Sequence, residues 1–232
     1  MSHSRDFDRG WIQLGRALVA LAALAAMLVI SGSMAHGMVA LKGGRTIGVE
    51  SPNAARAEIG WPGMKITYVL PVSQSLDISP QFGFVYGHNL RADIVGFEPG
   101  VEIKWNLMQK GAWSLALVAD PSLLVWVPTD GSEGNVGLRL GGPGLIAGWQ
   151  VGSRLNLFGG VRAPMRTGLV PDQSFTIPVL GDLGAEMGFY QDEDIMVQGQ
   201  AQISLGPEFC FGDSCEDTQM GAQMTLGTSI LW

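Results

Sequence analysis

Charge is scarce in this sequence of 232 residues, because Asp, Glu, Lys and Arg together make up only 15% of it. The 14 basic residues are outnumbered by 21 acidic ones, which gives a formal net charge of −7. Such a chain lacks the basic surface needed to hold a phosphate backbone, so no nucleic-acid partner is expected. Since 47% of the residues are hydrophobic, an intrinsically disordered chain is not expected either.

Long apolar runs are also rare, and after residue 40 none reaches the 18 residues that would predict a transmembrane helix. The one long run, 17–30, follows three arginines and precedes a stretch rich in small residues, 31–35. As a helix it would span about 21 Å, short of the roughly 30 Å hydrocarbon core. The pattern predicts a signal peptide over 1–35, with cleavage after Ala35 or as late as Ala40.

An uncleaved anchor is the alternative, because Asp6 and Asp8 lie in the segment before the apolar run. Cleavage would make the net charge of the mature chain slightly more negative. Residues 36–53 then form a lead-in to the domain that follows.

Only two cysteines are present, Cys210 and Cys215, in a segment that contains Gly and Asp. An even number of cysteines in an exported chain predicts a disulfide that closes a loop, with free thiols as the alternative. No histidine accompanies them, so a metal site is not expected.

Four stretches alternate between apolar side chains on one face and polar or small side chains on the other. In the last of them, apolar residues recur at every second position from Met220 to Trp232, and only Leu231 breaks the polar set. A period of two predicts strands with one apolar face. The other three stretches are 101–108, 154–163 and 195–205.

Extending this pattern predicts ten antiparallel strands. They cover 54–61, 64–71, 77–87, 94–108, 112–126, 136–150, 154–165, 175–190, 194–205 and 218–232. Short turns are expected near 72–75, 109–111, 151–153 and 191–193, and longer polar loops near 88–93, 127–135, 166–174 and 206–217. Eight strands is the competing total, and 44–50 is an alternative first strand. A bulge near Gly141 and Gly142 is required, because the apolar positions before and after them are out of step.

Residues that oppose each other in a hairpin must face the same side of the sheet, which tests these turns. A three-residue turn at 109–111 would place Trp105 opposite Leu115, so that two apolar residues share a face. Equivalent turns at 151–153 and 191–193 give the same agreement of faces.

The polar faces are poor in charge and rich in Gly, Gln, Ser and Asn, whereas the apolar faces carry large side chains in strand after strand. A soluble antiparallel sheet would bury its apolar face and expose the other. The pattern favours an all-β fold, a closed up-and-down antiparallel barrel over 54–232, whose apolar face meets lipid and whose interior is polar. Aromatic residues near strand ends are predicted to form interfacial girdles. They are Trp61, Tyr86, Trp113, Trp126, Trp149, Phe189, Tyr190 and Trp232.

With its export signal, alternating short and long connections and terminal strand ending at Trp232, the chain resembles the small OmpA-type outer-membrane β-barrel proteins of Gram-negative bacteria. The resemblance implies contact with outer-membrane lipids, short turns on the periplasmic side, and long loops, with Cys210 and Cys215, outside. It also implies that the last strand is read by the barrel-assembly machinery. The residues of that signal would be Leu226, Thr228, Ile230 and Trp232. The usual terminal residue of the family is Phe, so Trp232 is a mild departure.

Seven charged residues on the polar faces are predicted to meet in an ion-pair network inside the barrel. They are Glu102, Lys104, Arg139, Arg154, Arg162, Asp182 and Glu186. A barrel of eight to ten strands has an interior that side chains can largely fill, so a plugged, structural barrel is the first interpretation. A narrow polar passage for a small solute is the second.

The sequence gives little support for catalysis, and no cofactor is expected. His88 is the only histidine far from the predicted signal peptide, and no Gly-x-Ser-x-Gly motif accompanies it. An outer-membrane lipid hydrolase is therefore a remote alternative. A soluble periplasmic β-barrel that binds a lipid or another apolar ligand is the nearer one. The oligomeric state is left open.

Overall fold

The computed structural model of the chain describes residues 41–49, 53–87, 94–129, 134–170, 175–192, 194–211 and 218–232. The predicted signal peptide, His88 and Cys215 lie outside these residues, so the predictions about them stay predictions. No helix among the described residues is long and apolar enough to cross a membrane.

The described residues form fourteen β-strand segments, numbered here in chain order. They are β1 Ala54–Trp61, β2 Gly63–Ser73, β3 Leu76–Val85, β4 Ile94–Lys110, β5 Trp113–Ala119, β6 Ser122–Pro128, β7 Asn135–Arg139, β8 Gly144–Val151, β9 Leu155–Arg162, β10 Arg166–Val170, β11 Phe175–Pro178, β12 Leu180–Gln191, β13 Met196–Phe211 and β14 Gln219–Leu231.

Eight of these segments lie end to end in pairs, so the ring contains ten strands. The long strand β4 pairs with both β5 and β6, and β13 pairs with both β11 and β12. β1 pairs with β14 from Ala54 opposite Leu231 to Trp61 opposite Met224, which closes the ring. The predicted closed antiparallel barrel of ten strands is confirmed, and the alternative of eight is wrong.

A proline lies at or beside each of the four interruptions between paired segments. Pro121 separates β5 from β6, Pro143 precedes β8, Pro164 separates β9 from β10, and Pro178 ends β11. Proline has no N–H to donate to the ladder, so it interrupts the pairing. The bulge predicted at Gly141 is present, with φ of 60°.

The predicted faces of the hairpins are confirmed, but the residue registers are wrong. Trp105 opposes Leu117 rather than Leu115, because the turn contains two residues, 111–112, and the ladder shifts between Asn106 and Met108. In the next hairpin, Trp149 opposes Leu157 across the loop 152–154. An even displacement keeps the same residues on the same face, so the apolar pattern alone cannot fix the register.

Two of the predicted long loops are partly strand. β10 occupies Arg166–Val170 in place of much of 166–174, and β13 continues to Phe211 in place of half of 206–217. Both extensions pair with neighbours, β10 with β7 and the end of β13 with β11. Pairing across the ring therefore overrides the local polarity of these stretches.

The apolar face of the barrel points outward, as predicted. Trp105, Leu157 and Leu226 are exposed, whereas Asn156, Gln200 and Ser229 are buried inside. A closed barrel with a large apolar exterior and a polar interior has the architecture of a transmembrane β-barrel.

Aromatic side chains surround the exterior near both ends. Exposed aromatics at the end with the short turns are Trp113, Trp149, Phe189, Tyr190 and Trp232. Exposed aromatics toward the other end, where the longer connections lie, are Phe82, Phe97, Phe209 and Phe211.

Trp126 is a correction to the predicted girdle. Residues 122, 124 and 126 of β6 alternate inward, whereas 123, 125 and 127 are exposed. A side chain at Gly137 of the neighbouring strand would come within 3.1 Å of the Trp126 ring, so the indole lies across a glycine. Trp126 therefore belongs to the lumen, and Trp61 and Tyr86 are half-buried at the end with the longer connections.

The segment 41–49, which the sequence assigned to the lead-in or to an alternative first strand, is not a strand. It lies inside the barrel, where Leu41 and Ile47 are buried in a small apolar cluster with inward-facing residues of β1, β2 and β14. We call residues 41–49 the plug segment.

Candidate functional site in the lumen

Polar side chains that alternate inward along the strands fill the lumen. The buried polar residues are Arg56, Glu58, Thr67, Asp77, Ser79, Gln81, Lys104, Ser114, Asp120, Ser122, Asn156, Asp182, Glu186, Gln198, Gln200, Ser204, Glu208 and Ser229. Burying this many polar groups is costly unless they are paired, so their partners define the site.

Glu186 of β12 holds the start of the plug segment. Its carboxylate accepts hydrogen bonds from the backbone N–H groups of Leu41, Lys42 and Gly43 at 2.8, 2.7 and 3.3 Å. The side-chain amide of Asn156 donates a fourth bond at 3.0 Å. A single buried carboxylate is thus satisfied by three consecutive amides and one side chain.

Strands on the opposite side of the ring hold the rest of the plug segment. Lys104 Nζ of β4 donates to the carbonyl of Leu41 at 2.7 Å, and Asp77 of β3 accepts from the N–H of Ile47 at 3.0 Å. The side chain of Asn106 donates to the carbonyl of Gly44. Because these partners lie on β3, β4 and β12, the plug segment bridges the lumen.

Gly44 allows the plug segment to touch the barrel wall. A Cβ atom at this position would lie 2.6 Å from the backbone nitrogen of Leu115 on β5, closer than real side chains approach. Only a residue without a side chain fits this contact without displacement.

A cluster of charges surrounds Arg56 of β1, whose side chain is fully buried. Arg56 contacts Glu58 and Glu102, each at 3.0 Å. Lys42 of the plug segment contacts Glu58 at 2.8 Å, and Lys65 lies 3.8 Å from the same carboxylate. The plug segment therefore supplies a charge to the network as well as backbone groups.

A second ion pair joins β9 to β12. Arg162 donates to both carboxylate oxygens of Asp182, at 2.5 and 2.9 Å. Gln202 donates to the same carboxylate at 3.1 Å. This paired geometry is the strongest arrangement for a guanidinium and a carboxylate.

The part of the lumen toward the longer connections contains a cavity of about 260 Å³, which we call the upper cavity. Its charged lining consists of Glu98, Arg139, Arg166 and Glu208, so the formal charges of the lining cancel. Arg139 contacts the two oxygens of Glu98 at 2.7 and 3.1 Å. Arg166 lies 3.7 Å from Glu208, which is beyond hydrogen-bond distance.

Six of the seven predicted network residues face the lumen, but they do not form one network. Arg162 and Asp182 pair with each other, and Glu186 holds the plug segment. Glu102 and Lys104 lie near one another in the short-turn half, and Arg139 lines the upper cavity. Arg154 is a correction: it sits in the turn between β8 and β9, and it forms no ion pair with any described residue.

Sequence reasoning missed several partners of these groups. The missed charged residues are Lys42, Arg56, Glu58, Asp77, Glu98, Asp120, Arg166 and Glu208. Arg56 and Glu58 occupy alternate positions of the first strand, and this spacing was a usable signal. Lys42 offered none, because it lies before the first strand and has no period to follow.

The two other groups of predicted residues are placed but not tested. Leu226, Ile230 and Trp232 are exposed on the exterior face of β14, together with Thr228. Cys210 lies near the end of β13, and Cys215 is outside the described residues. Among those residues, no group of three or more potential ligands could hold a metal ion.

No protein-family model matches the chain, and no curated protein matches it. Similar solved structures include the β domain of the Bordetella autotransporter BrkA, with 13% identity and a TM-score of 0.40 over 77% of this chain and 98% of that one. NanC porin matches with 9% identity and a TM-score of 0.35 over 78% and 98%. The outer membrane protease OmpT from Escherichia coli matches with 8% identity and a TM-score of 0.31 over 78% and 91%. Scores this low carry no argument about function, which must come from the geometry of this chain.

Proposed function

We propose that the protein is an integral β-barrel of the outer membrane whose lumen is closed by its own plug segment. In this proposal it serves as a structural membrane protein and neither conducts solutes freely nor catalyses a reaction. The observation that carries the proposal is the set of three backbone amides, from Leu41 to Gly43, bound to the buried carboxylate of Glu186.

The energies of these contacts favour a closed lumen. Hydrogen bonds to a charged group contribute about 1.5–3 kcal/mol each, and a buried carboxylate left without partners would be costly. Removing the plug segment would deprive Glu186, Asp77 and Lys104 of partners at the same time. The resting barrel therefore holds the segment in place.

The likeness to OmpA-type barrels supplies the rest of the proposal. The short turns face the periplasm, outer-membrane lipids cover the apolar exterior, and the barrel-assembly machinery reads the last strand at Trp232. The disulfide between Cys210 and Cys215 would then close an external loop. A soluble periplasmic barrel fits less well, because it would expose a large apolar exterior to water.

A catalytic role has no support in the described residues. All three histidines, including His88, lie outside them, and the buried carboxylates of the lumen are engaged in ion pairs or hold the plug segment. The lipid hydrolase remains the remote alternative.

Cell fractionation tests the membrane location. The mature protein should be recovered in the outer-membrane fraction and should migrate differently on gels before and after boiling, as folded membrane barrels do. Recovery in the soluble periplasmic extract would contradict the proposal.

Recording in planar lipid bilayers tests the closed lumen. The native barrel should give no steady conductance, whereas the double variant Asp77→Asn, Glu186→Gln should open intermittently because it loses two charges that hold the plug segment. Heat-modifiable migration of the variant checks that it has folded. Steady conductance by the native protein would support the narrow pore instead.

A further inference from the structure

We propose that the upper cavity is a binding site for a small monocarboxylate with an apolar body. This inference goes beyond the closed barrel, since it concerns the half of the lumen that the plug segment does not fill. It rests on two neighbouring arginines, on buried N–H groups without acceptors, and on an apolar lining.

Arg139 and Arg166 are directly opposite each other on the neighbouring strands β7 and β10. Like charges in this position repel and destabilise a sheet unless something compensates them. Glu98 compensates Arg139 through two hydrogen bonds, but Glu208 lies 3.7 Å from Arg166. The guanidinium of Arg166 is therefore the less neutralised of the two.

Three buried N–H groups around the upper cavity have no acceptor among the described residues. They belong to Arg139 Nε, Arg166 Nε and Trp61 Nε1. Buried donors in native proteins are nearly always satisfied, so a cavity with three unsatisfied donors in its lining is suited to a molecule that brings acceptors. A carboxylate provides two oxygens and the negative charge that guanidinium groups bind best.

The rest of the lining is mainly apolar, which favours a ligand with more than a charged group. Trp126, Leu124, Leu180 and Ile94 contribute to it. A volume of about 260 Å³ lies just below the range of about 300–1,000 Å³ that holds drug-sized ligands, so the ligand must be smaller than these. Because the charges of the lining already cancel, a ligand with one negative charge fits better than one with two.

Binding to the purified, folded barrel in detergent tests this inference by calorimetry with three matched probes. Benzoate has the carboxylate and the apolar ring, benzamide has the same shape without the charge, and inorganic phosphate has the charge without the ring. Benzoate should bind saturably and at least about tenfold more tightly than either of the others, a difference of about 1.4 kcal/mol.

Variants place the binding in the upper cavity. Arg166→Gln should weaken benzoate binding at least about tenfold, and Trp126→Leu should weaken it through the lost ring contact. Arg154→Gln, in the turn at the other end, and Trp149→Leu, on the exterior, should leave it unchanged. The Trp126→Leu variant keeps the test available if Arg166→Gln does not fold.

Three results would overturn the inference. Equal affinity for benzamide would mean an apolar pocket without a carboxylate site, and equal affinity for phosphate would mean an anion site without an apolar one. Failure of benzoate to bind would mean that the cavity holds water only.

Discussion

The two halves of the lumen differ in what satisfies their buried charges. In the half toward the short turns, Arg56 is fully buried between two glutamates, and Glu186 is bound by the backbone of the plug segment. In the half toward the longer connections, Arg166 is partly exposed to a cavity and lies outside hydrogen-bond distance of its nearest carboxylate. The difference shows that the chain itself fills one half, whereas the other half has room for another molecule.

Substitution of a central arginine in each half should have the largest effect. Arg56→Met should lower the free energy of unfolding by about 3–5 kcal/mol, because Glu58 and Glu102 would remain buried without the cation they share. Arg139→Met should lower it by only about 1–3 kcal/mol, because Glu98 lies beside the cavity and keeps Ser122 as a donor. Urea unfolding in lipid vesicles measures both, and equal losses would show that the two halves are equally filled.

The hold of Glu186 on the plug segment can be measured locally. Glu186→Gln removes the charge that strengthens the bonds to Leu41 and Lys42, so their amide hydrogens should exchange about tenfold faster or more, since about 1.4 kcal/mol corresponds to a factor of ten. Hydrogen–deuterium exchange with mass spectrometry measures this. Glu98→Gln, the matched change in the other half, should leave the exchange of these amides as it is, and a similar increase there would argue against separate halves.

Adding one methyl group in each half gives the smallest effect. Gly44→Ala should destabilise the barrel by about 1–3 kcal/mol, because the new Cβ would meet the backbone of Leu115 at 2.6 Å. Gly221→Ala, which borders the upper cavity, should change stability by less than about 0.5 kcal/mol, because its nearest neighbour would be Leu180 Cδ2 at 3.4 Å. Thermal unfolding compares the pair, and a larger loss at Gly221 would mean that the cavity is tightly packed.

The strands and their faces could be predicted from the sequence because both depend on a period of two. The positions of Leu157, Asn156 and Leu226 followed from alternation alone, and the break at Gly141 followed from a loss of phase. The hairpin registers did not follow, because a displacement by two residues leaves every face unchanged. The turn at 111–112 and the bulge beside Asn106 are set by pairing across the hairpin.

The candidate site was less predictable than the fold. Glu102 and Glu186 could be assigned to the interior by parity, but their partners come from distant parts of the chain. The plug segment has no repeating pattern, and its place depends on acceptors and donors of β3, β4 and β12 that the local sequence does not reveal. Trp126 was assigned to the exterior because it lies near a strand end, whereas the parity of β6 directs it inward.

The donors that hold the plug segment to Glu186 belong to the peptide backbone, and this has a consequence for how the segment can change. Exchange of the side chain at Lys42 would leave all three of these bonds intact, so residues there are free to vary as far as this anchor is concerned. Proline is the exception, because it would remove one of the three N–H groups outright. A designer who wished to make a removable stopper could therefore weaken the attachment with one imino acid while leaving the wall of the barrel untouched.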